Sequence, residues 1–303
     1  MTSTPVLAST REELLGLLAD ARGAGKRVGF VPTMGALHVG HASLMEAARA
    51  EVGDGPVVVS IFVNPLQFGA GEDLDRYPRT LDADLALCGE HGVDIVFAPA
   101  VDEVYPGSVD GVVEPQVTLD PGPLGSILEG ATRPGHFRGV LIVVAKLFGL
   151  VRPDVAVFGQ KDYQQLALIR RMVDDLCMGV EVVGGETVRE ADGLALSSRN
   201  RYLEAADREH AVALSRTLLR ARENAMYGAD SALAAARAEL RASDGVDLDY
   251  LVITGTDLGP APAHGEARVI IAARVGTTRL IDNMPVHLGT ADHPEPSAAL
   301  RTP

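Results

Sequence analysis

The sequence predicts an α/β protein: a parallel sheet covered by helices in residues 1–185, then a smaller α+β domain in 186–289. Three observations predict it. Short apolar runs alternate with amphipathic stretches of 12 to 15 residues, the spacing of right-handed βαβ crossovers. The run Pro56-Val57-Val58-Val59-Ser60-Ile61-Phe62 is apolar almost end to end, as a strand covered on both faces must be. After Gly185 the alternation stops, and two helical stretches precede three strand-like ones.

In chain order, a strand at 27–32 leads through a glycine-containing loop into a helix at 40–51. The strand 56–62 follows, then helical spacing over 77–91 and a strand at 94–98. A largely apolar helix at 136–150 precedes a strand at 154–158, a helix at 162–176 and a strand at 180–183. The second domain reads as helices 204–224 and 231–242 and strands 248–253, 268–273 and 278–281. Residues 290–303, rich in proline and small polar side chains, read as a flexible tail.

Composition narrows the function classes. At about 150 residues per domain, the 303 residues fit one large or two ordinary domains. Lys and Arg number 27 against 41 Asp and Glu, a net charge of −14. That field does not favour nucleic acid, whose phosphates need a basic face. The hydrophobic fraction of 47% excludes general disorder. The two cysteines, Cys88 and Cys177, form neither a disulfide framework nor a zinc knuckle. No secretory pattern is visible, and the most apolar stretch, 139–151, is broken by Lys146 and too short to span a bilayer. The expectation is a cytoplasmic protein that engages neither membrane nor nucleic acid.

Three motifs carry chemistry. Pro32-Thr33-Met34-Gly35-Ala36-Leu37-His38-Val39-Gly40-His41 follows the first strand and opens a helix, at the sheet edge where open α/β folds bind ligands. Its two histidines share a helix face, the helix start attracts anions, and Gly35 and Gly40 would let a flat nucleotide approach the backbone. A zinc pair is disfavoured, because Val39 stands where a zincin helix carries Glu. Phe158-Gly159-Gln160-Lys161-Asp162-Tyr163-Gln164-Gln165 again joins a strand end to a helix, with Asp162 as candidate N-cap. Lys161 is one of only three lysines, in a chain that otherwise uses arginine, which favours a phosphate contact for it. Asp192-Gly193-Leu194-Ala195-Leu196-Ser197-Ser198-Arg199-Asn200 places hydroxyls beside an arginine at the domain border, a set suited to a triphosphate.

The His-x-Gly-His turn and the distal Ser-Ser-Arg-Asn loop together resemble the Rossmann-like nucleotidyltransferases. Further stretches narrow the resemblance: Ser60 to Gly69, Arg133-Pro134-Gly135-His136-Phe137-Arg138-Gly139-Val140, and Gly276-Thr277-Thr278-Arg279-Leu280-Ile281-Asp282-Asn283. With these, the chain is similar over nearly its whole length to the family of pantoate–β-alanine ligases (pantothenate synthetases). The resemblance implies ATP-driven condensation of pantoate with β-alanine through a pantoyl adenylate, with Mg²⁺, in a homodimer. It implies that Met34, Gly35, Ala36, Leu37, His38, Val39, Gly40 and His41 cradle ATP, with His41 as proton donor and His38 on the phosphates. Gly159, Gln160, Lys161, Asp162, Val188, Leu196, Ser197, Ser198 and Arg199 complete the ATP site, His38, His41, Lys161 and Arg199 being the catalytic set. Gln67 and Gln165 hold pantoate, and Gln67 also lies near β-alanine.

These residue types suit the chemistry. A carboxylate is already ionised at pH 7, so its attack on phosphorus needs positioning and charge neutralisation rather than a base. Neutral amides orient it without blunting it. No base for the β-alanine amine is visible, and solvent or a released phosphate group is expected to take that proton. Metal ligands are not assigned; the acidic run Leu81-Asp82-Ala83-Asp84 fits either a metal or a solvated helix face. Gln160, Leu196 and Val39 depart from residues common in relatives. The strand 56–62 and its following loop are the expected dimer contact. The alternatives are another adenylyltransferase with the same turn, and a nucleotide-binding regulator without catalysis, which would show a damaged motif.

Overall fold

The computed structural model describes residues 4–69, 74–107 and 115–289, so the expected tail at 290–303 lies outside the described residues. The chain divides into two compact units: Met1–Val188 with Leu196–Ser198, and Arg189–Ala195 with Arg199–Pro303.

The described part of the first unit runs β1 (Val6–Ala8), α1 (Arg11–Gly23), β2 (Gly29–Thr33), α2 (Val39–Val52), β3 (Val57–Ile61), α3 (Leu81–Glu90), β4 (Ile95–Phe97), α4 (Val101–Val104), α5 (Glu129–Thr132), α6 (His136–Val151), β5 (Val155–Gly159), α7 (Tyr163–Asp175) and β6 (Glu181–Gly185). Six strands form one parallel sheet in the order β1-β4-β3-β2-β5-β6. From β2 the chain builds outward first on one side, then on the other, so the strand order reverses between β2 and β5. A crevice opens beyond the carboxyl ends at such a reversal.

The local reasons are visible in the residues. Thr10 and Glu13 cap α1 reciprocally, a capping box that fixes where the helix begins. This helix and β1 were not expected from periodicity. The helix expected over 77–91 begins instead at Leu81, with a 3₁₀ turn at Leu74–Arg76 before it; Pro78 keeps Tyr77 out of helical conformation. α6 is apolar on nearly every side because it is buried on nearly every side. Val31, Met45, Ala48, Val57, Val59 and Val157 form the core beneath α2.

β3 lies between β2 and β4, and Val57, Val58, Val59 and Ser60 are fully buried. The expectation that this strand forms a dimer contact is therefore corrected: within the unit its edges and faces are already covered. The loop after it retains surface.

The second unit packs α8 (Ala205–Asn224) and α9 (Ala229–Arg241) on an antiparallel sheet of β7 (Val246–Thr254), β8 (Gly265–Val275) and β9 (Thr278–Leu288). Its core joins Leu214 and Leu218 of α8 to Val269, Ile271 and Leu288 of the sheet. β9 runs on past 281, where the sequence expectation stopped it, and carries Pro285. An edge strand tolerates the missing N–H.

Candidate active site

The turn after β2 is built from within. Thr33 donates to the Ser60 carbonyl (2.7 Å), and its hydroxyl accepts from the Gly35 N–H (3.2 Å). Gly35 and Ala36 both take positive φ, +86° and +51°, which reverses the chain sharply. The Ala36 and Leu37 N–H groups then donate to Asp84 of α3, at 3.1 and 2.8 Å.

His38 and His41 cap α2 with each other. His38 occupies the N-cap position, and its Nδ1 accepts from the Gly40 N–H at 3.1 Å. The Nδ1 of His41 accepts from the His38 N–H at 3.3 Å. Two imidazoles thus replace the Ser and Glu of an ordinary capping box. A Cβ on Gly40 would sit 2.9 Å from the His38 ring, so glycine there makes room for a histidine. The sequence reading gave that space to a nucleotide and expected free helix-start amides. The N–H groups of Gly35, Ala36, Leu37, His38 and Gly40 have partners within the protein, which leaves the exposed Val39 N–H as the helix-start amide without one among the described residues. The turn presents mainly side-chain donors.

The capping fixes the tautomer. A ring nitrogen that accepts from a backbone amide carries no proton, so each neutral imidazole holds its hydrogen on Nε2. Burial pushes the His41 imidazole down to about 3, the charge of His38 and then that of Lys161 add to the shift, and Asp162 opposes it. Burial first, then Lys161, lowers His38 too. Both rings are therefore neutral at pH 7, their centroids 4.2 Å apart. At pH 7 His41 thus stands as a neutral Nε2–H donor.

A pH dependence follows. The unfolded chain binds the proton near the ordinary value of 6.5, the folded chain only near 3. Above 6.5 the contribution of His41 to stability is fully present, and it is lost progressively as pH falls from there. Denaturant midpoints measured across this range should decline on the acid side in the wild type. The decline should be shallower in His41→Asn.

Lys161 and Asp162 sit in a 3₁₀ turn, Gln160–Asp162, that follows Gly159 at the end of β5. Gln160 ties this turn to β6 through the Gly184 carbonyl (2.9 Å). Asp162 holds the N-cap position of α7 without a side-chain capping hydrogen bond, contrary to expectation. Its carboxylate instead lies 3.8 Å from Lys161 Nζ. Of the two glutamines that follow, Gln164 is buried and binds the Leu124 and Ile127 carbonyls and the Glu129 N–H. The Gln165 side chain has no hydrogen-bond partner among the described residues.

Gln67 is held on all sides. It donates to Met34 Sδ (2.8 Å) and accepts from Asn64 Nδ2 (3.2 Å). Asn64 also donates to the Gly139 carbonyl and accepts from the buried Tyr105 hydroxyl (2.8 Å). The Gln67 carbonyl accepts from His136 Nδ1 (2.9 Å) and from Arg133. A Cβ on Gly139 would fall 2.1 Å from the Leu66 carbonyl oxygen, so α6 can approach this segment only with glycine there. Asn64 and His136 lie in stretches marked by resemblance and Tyr105 lies in none, so no task for any of the three is legible in the sequence. Their partners lie 41 to 75 residues away, and no local pattern announces that.

Of the remaining expected residues, all but Val39 fall where the chain passes from one unit to the other. Val188 accepts from the Leu196 N–H (2.9 Å), and Leu196, Ser197 and Ser198 belong to the first unit with it. Val39 is exposed at 58%. Arg199 belongs to the second unit, in the 3₁₀ turn Ser198–Tyr202. The hairpin before it is pinned within that unit: Arg189 binds Asp282 through two nitrogens (2.7 and 2.9 Å), and Arg208 binds Glu190 and Asp192. Among the described residues no group of three His, Cys, Asp or Glu side chains could hold a metal ion, and no helix is long and apolar enough to cross a membrane.

The geometry has close counterparts. A family model described as Pantoate-beta-alanine ligase matches residues 6–285. A pantothenate synthetase of Nocardioides sp. is 72% identical over 298 residues, covering 96% of this chain and 88% of that protein. The crystal structure of pantothenate synthetase from Thermus thermophilus superposes with a TM-score of 0.80 at 51% identity, covering 92% of this chain and 98% of that one. A Francisella tularensis pantoate-beta-alanine ligase, solved in complex with beta-gamma ATP and beta-alanine, gives 0.70 at 33% identity, covering 92% and 97%. With its strand order, its paired imidazoles and these matches, the chain belongs to the pantoate–β-alanine ligase family.

Proposed function

We propose that this protein joins pantoate to β-alanine at the expense of ATP, releasing AMP and pyrophosphate. The observation that carries the reading is the gathering of two neutral imidazoles, Lys161 and a firmly held Gln67 around the ends of β2, β3 and β5. In the first step a pantoate carboxylate oxygen attacks the α-phosphorus and the bond to the β-phosphate breaks. Pantoyl adenylate forms and pyrophosphate leaves. The site must hold the reactants in line and meet charge growing on the triphosphate. His38 and His41 do so as Nε2–H donors, Lys161 as a point charge, and Ser197 and Ser198 as further contacts.

Gln67 and Gln165 orient pantoate, and Gln67 also reaches β-alanine. In the second step the β-alanine amine attacks the acyl carbon, the bond to AMP breaks, and the amine proton passes to solvent or a released phosphate group. The side chains present suit a Mg²⁺ ion that arrives on ATP and keeps phosphate and water as its main ligands. When bound, it neutralises part of the charge on the leaving pyrophosphate. The protein is further proposed to act as a cytoplasmic homodimer, with the loop after β3 in the contact. Light scattering that returns a single-chain mass would contradict the dimer.

The test is ATP consumption with pantoate, with and without β-alanine, the products identified by mass. AMP should accumulate in quantity only when both acids are present. ADP as product would overturn the adenylate route, and AMP release indifferent to β-alanine would point to a different adenylyltransferase.

A further inference from the structure

Asp84 is the one carboxylate of the run Leu81-Asp82-Ala83-Asp84 that is buried, at 2% exposure, and no basic side chain pairs with it among the described residues. An unpaired buried charge is costly unless hydrogen bonds replace its water. Three do. Oδ2 accepts from the Ala36 N–H (3.1 Å), while Oδ1 accepts from the Leu37 N–H (2.8 Å) and the Thr80 hydroxyl (3.2 Å).

The two amides belong to the tightest part of the turn. Ala36 is held at φ +51°, a left-handed conformation that a residue with a Cβ rarely adopts. Leu37 immediately precedes His38, whose backbone direction decides where both capping imidazoles point. A negative charge beneath a turn that receives a triphosphate works against phosphate binding through space. Its presence is explained by shape: only a carboxylate accepts at both oxygens, and an amide of the same size would set an N–H against an N–H.

We infer that Asp84 is a positioning residue for ATP, the carboxylate of α3 that fixes the left-handed turn and thereby aims the Nε2–H groups of His38 and His41. The inference rests on the proposed function, since it supposes that the turn receives the nucleotide. It assigns to α3 a part in catalysis without contact with substrate.

Calorimetric titration with ATP, on the full chain, tests it with three variants. Asp84→Asn should weaken ATP affinity roughly 10- to 100-fold while the KM for β-alanine stays within about twofold. Asp82→Asn, at an exposed position on the same helix, should bind ATP as the wild type does. Thr80→Val removes only the hydroxyl support and should cost about two- to fivefold in ATP affinity; it keeps the inference testable if Asp84→Asn does not fold. Unchanged ATP affinity in folded Asp84→Asn overturns the inference, as does an equal loss in Asp82→Asn, which would mean that bulk charge is at work. Unchanged affinity in Thr80→Val overturns it where Asp84→Asn cannot be measured. A wild type that binds no ATP overturns the proposed function and this inference with it, whereas equal binding by wild type and Asp84→Asn overturns the inference alone.

Discussion

Replacing His41 with asparagine should lower turnover by roughly 10²- to 10³-fold, the usual cost of removing one donor aimed at developing charge, while leaving the fold nearly as stable. The two effects separate because the ring has two jobs on two atoms. Nδ1 accepts from the His38 N–H and closes the cap of α2; Nε2–H is the donor that remains. An asparagine amide oxygen reaches the place of Nδ1 and keeps the cap, but it offers nothing at Nε2. Alanine should lose both, with about 0.5–2 kcal/mol of stability gone along with the rate. Glutamine, whose amide nitrogen extends toward the Nε2 position, should recover some turnover while forfeiting the cap. Single-turnover formation of the adenylate, measured beside urea unfolding, distinguishes the three. If asparagine retains turnover within a few-fold of wild type, His41 is a helix cap and nothing more.

The largest stability effect is expected in the second unit. Arg189→Ala should cost about 3–5 kcal/mol, the penalty for leaving a buried carboxylate without its partner. Asp282 is 2% exposed, and Arg189 meets both of its oxygens while also donating to the carbonyls of Gly193 and Asn283. Arg268 extends the network by donating to the Asn283 side chain (2.9 Å). Exchanging both partners of the pair, as Arg189→Met with Asp282→Leu, should recover much of the loss, because no charge is then left buried alone. A protein of two units need not unfold in one step. Amide exchange in β8 and β9 is therefore the measurement, and unchanged protection in Arg189→Ala would contradict the expectation.

The contrast between these two predictions shows what the sequence discloses. β3 and α6 are legible because burial on all sides leaves an unbroken apolar run, and the sheet class follows from their alternation. The start of α1 is equally open to reading in Ser9-Thr10-Arg11-Glu12-Glu13, where Thr and Glu stand three apart, but its four leucines, of which only Leu14 and Leu18 are buried, blur the helical face. The His-x-Gly-His turn declares itself by motif and position. Its supports do not. Asp84 meets the turn across 47 residues and Asp282 meets Arg189 across 93, and a carboxylate bound for the interior looks in sequence like its exposed neighbour Asp82. The stretch ending in Ile281-Asp282-Asn283 was marked by resemblance alone; the fold gives it a task, to grip the hairpin that precedes Arg199.

The inward commitment of the amides in the β2–α2 turn bears on how the enzyme could be inhibited. A compound patterned on ligands of glycine-rich phosphate loops, which relies on main-chain donors to seat a sulfonate or phosphonate, would meet few of them here. The better template spaces two acceptors to match imidazole edges 4.2 Å apart between ring centres and leaves an anionic group for Lys161. Because both rings are neutral at pH 7, such a compound would meet them there as hydrogen-bond donors rather than as cations.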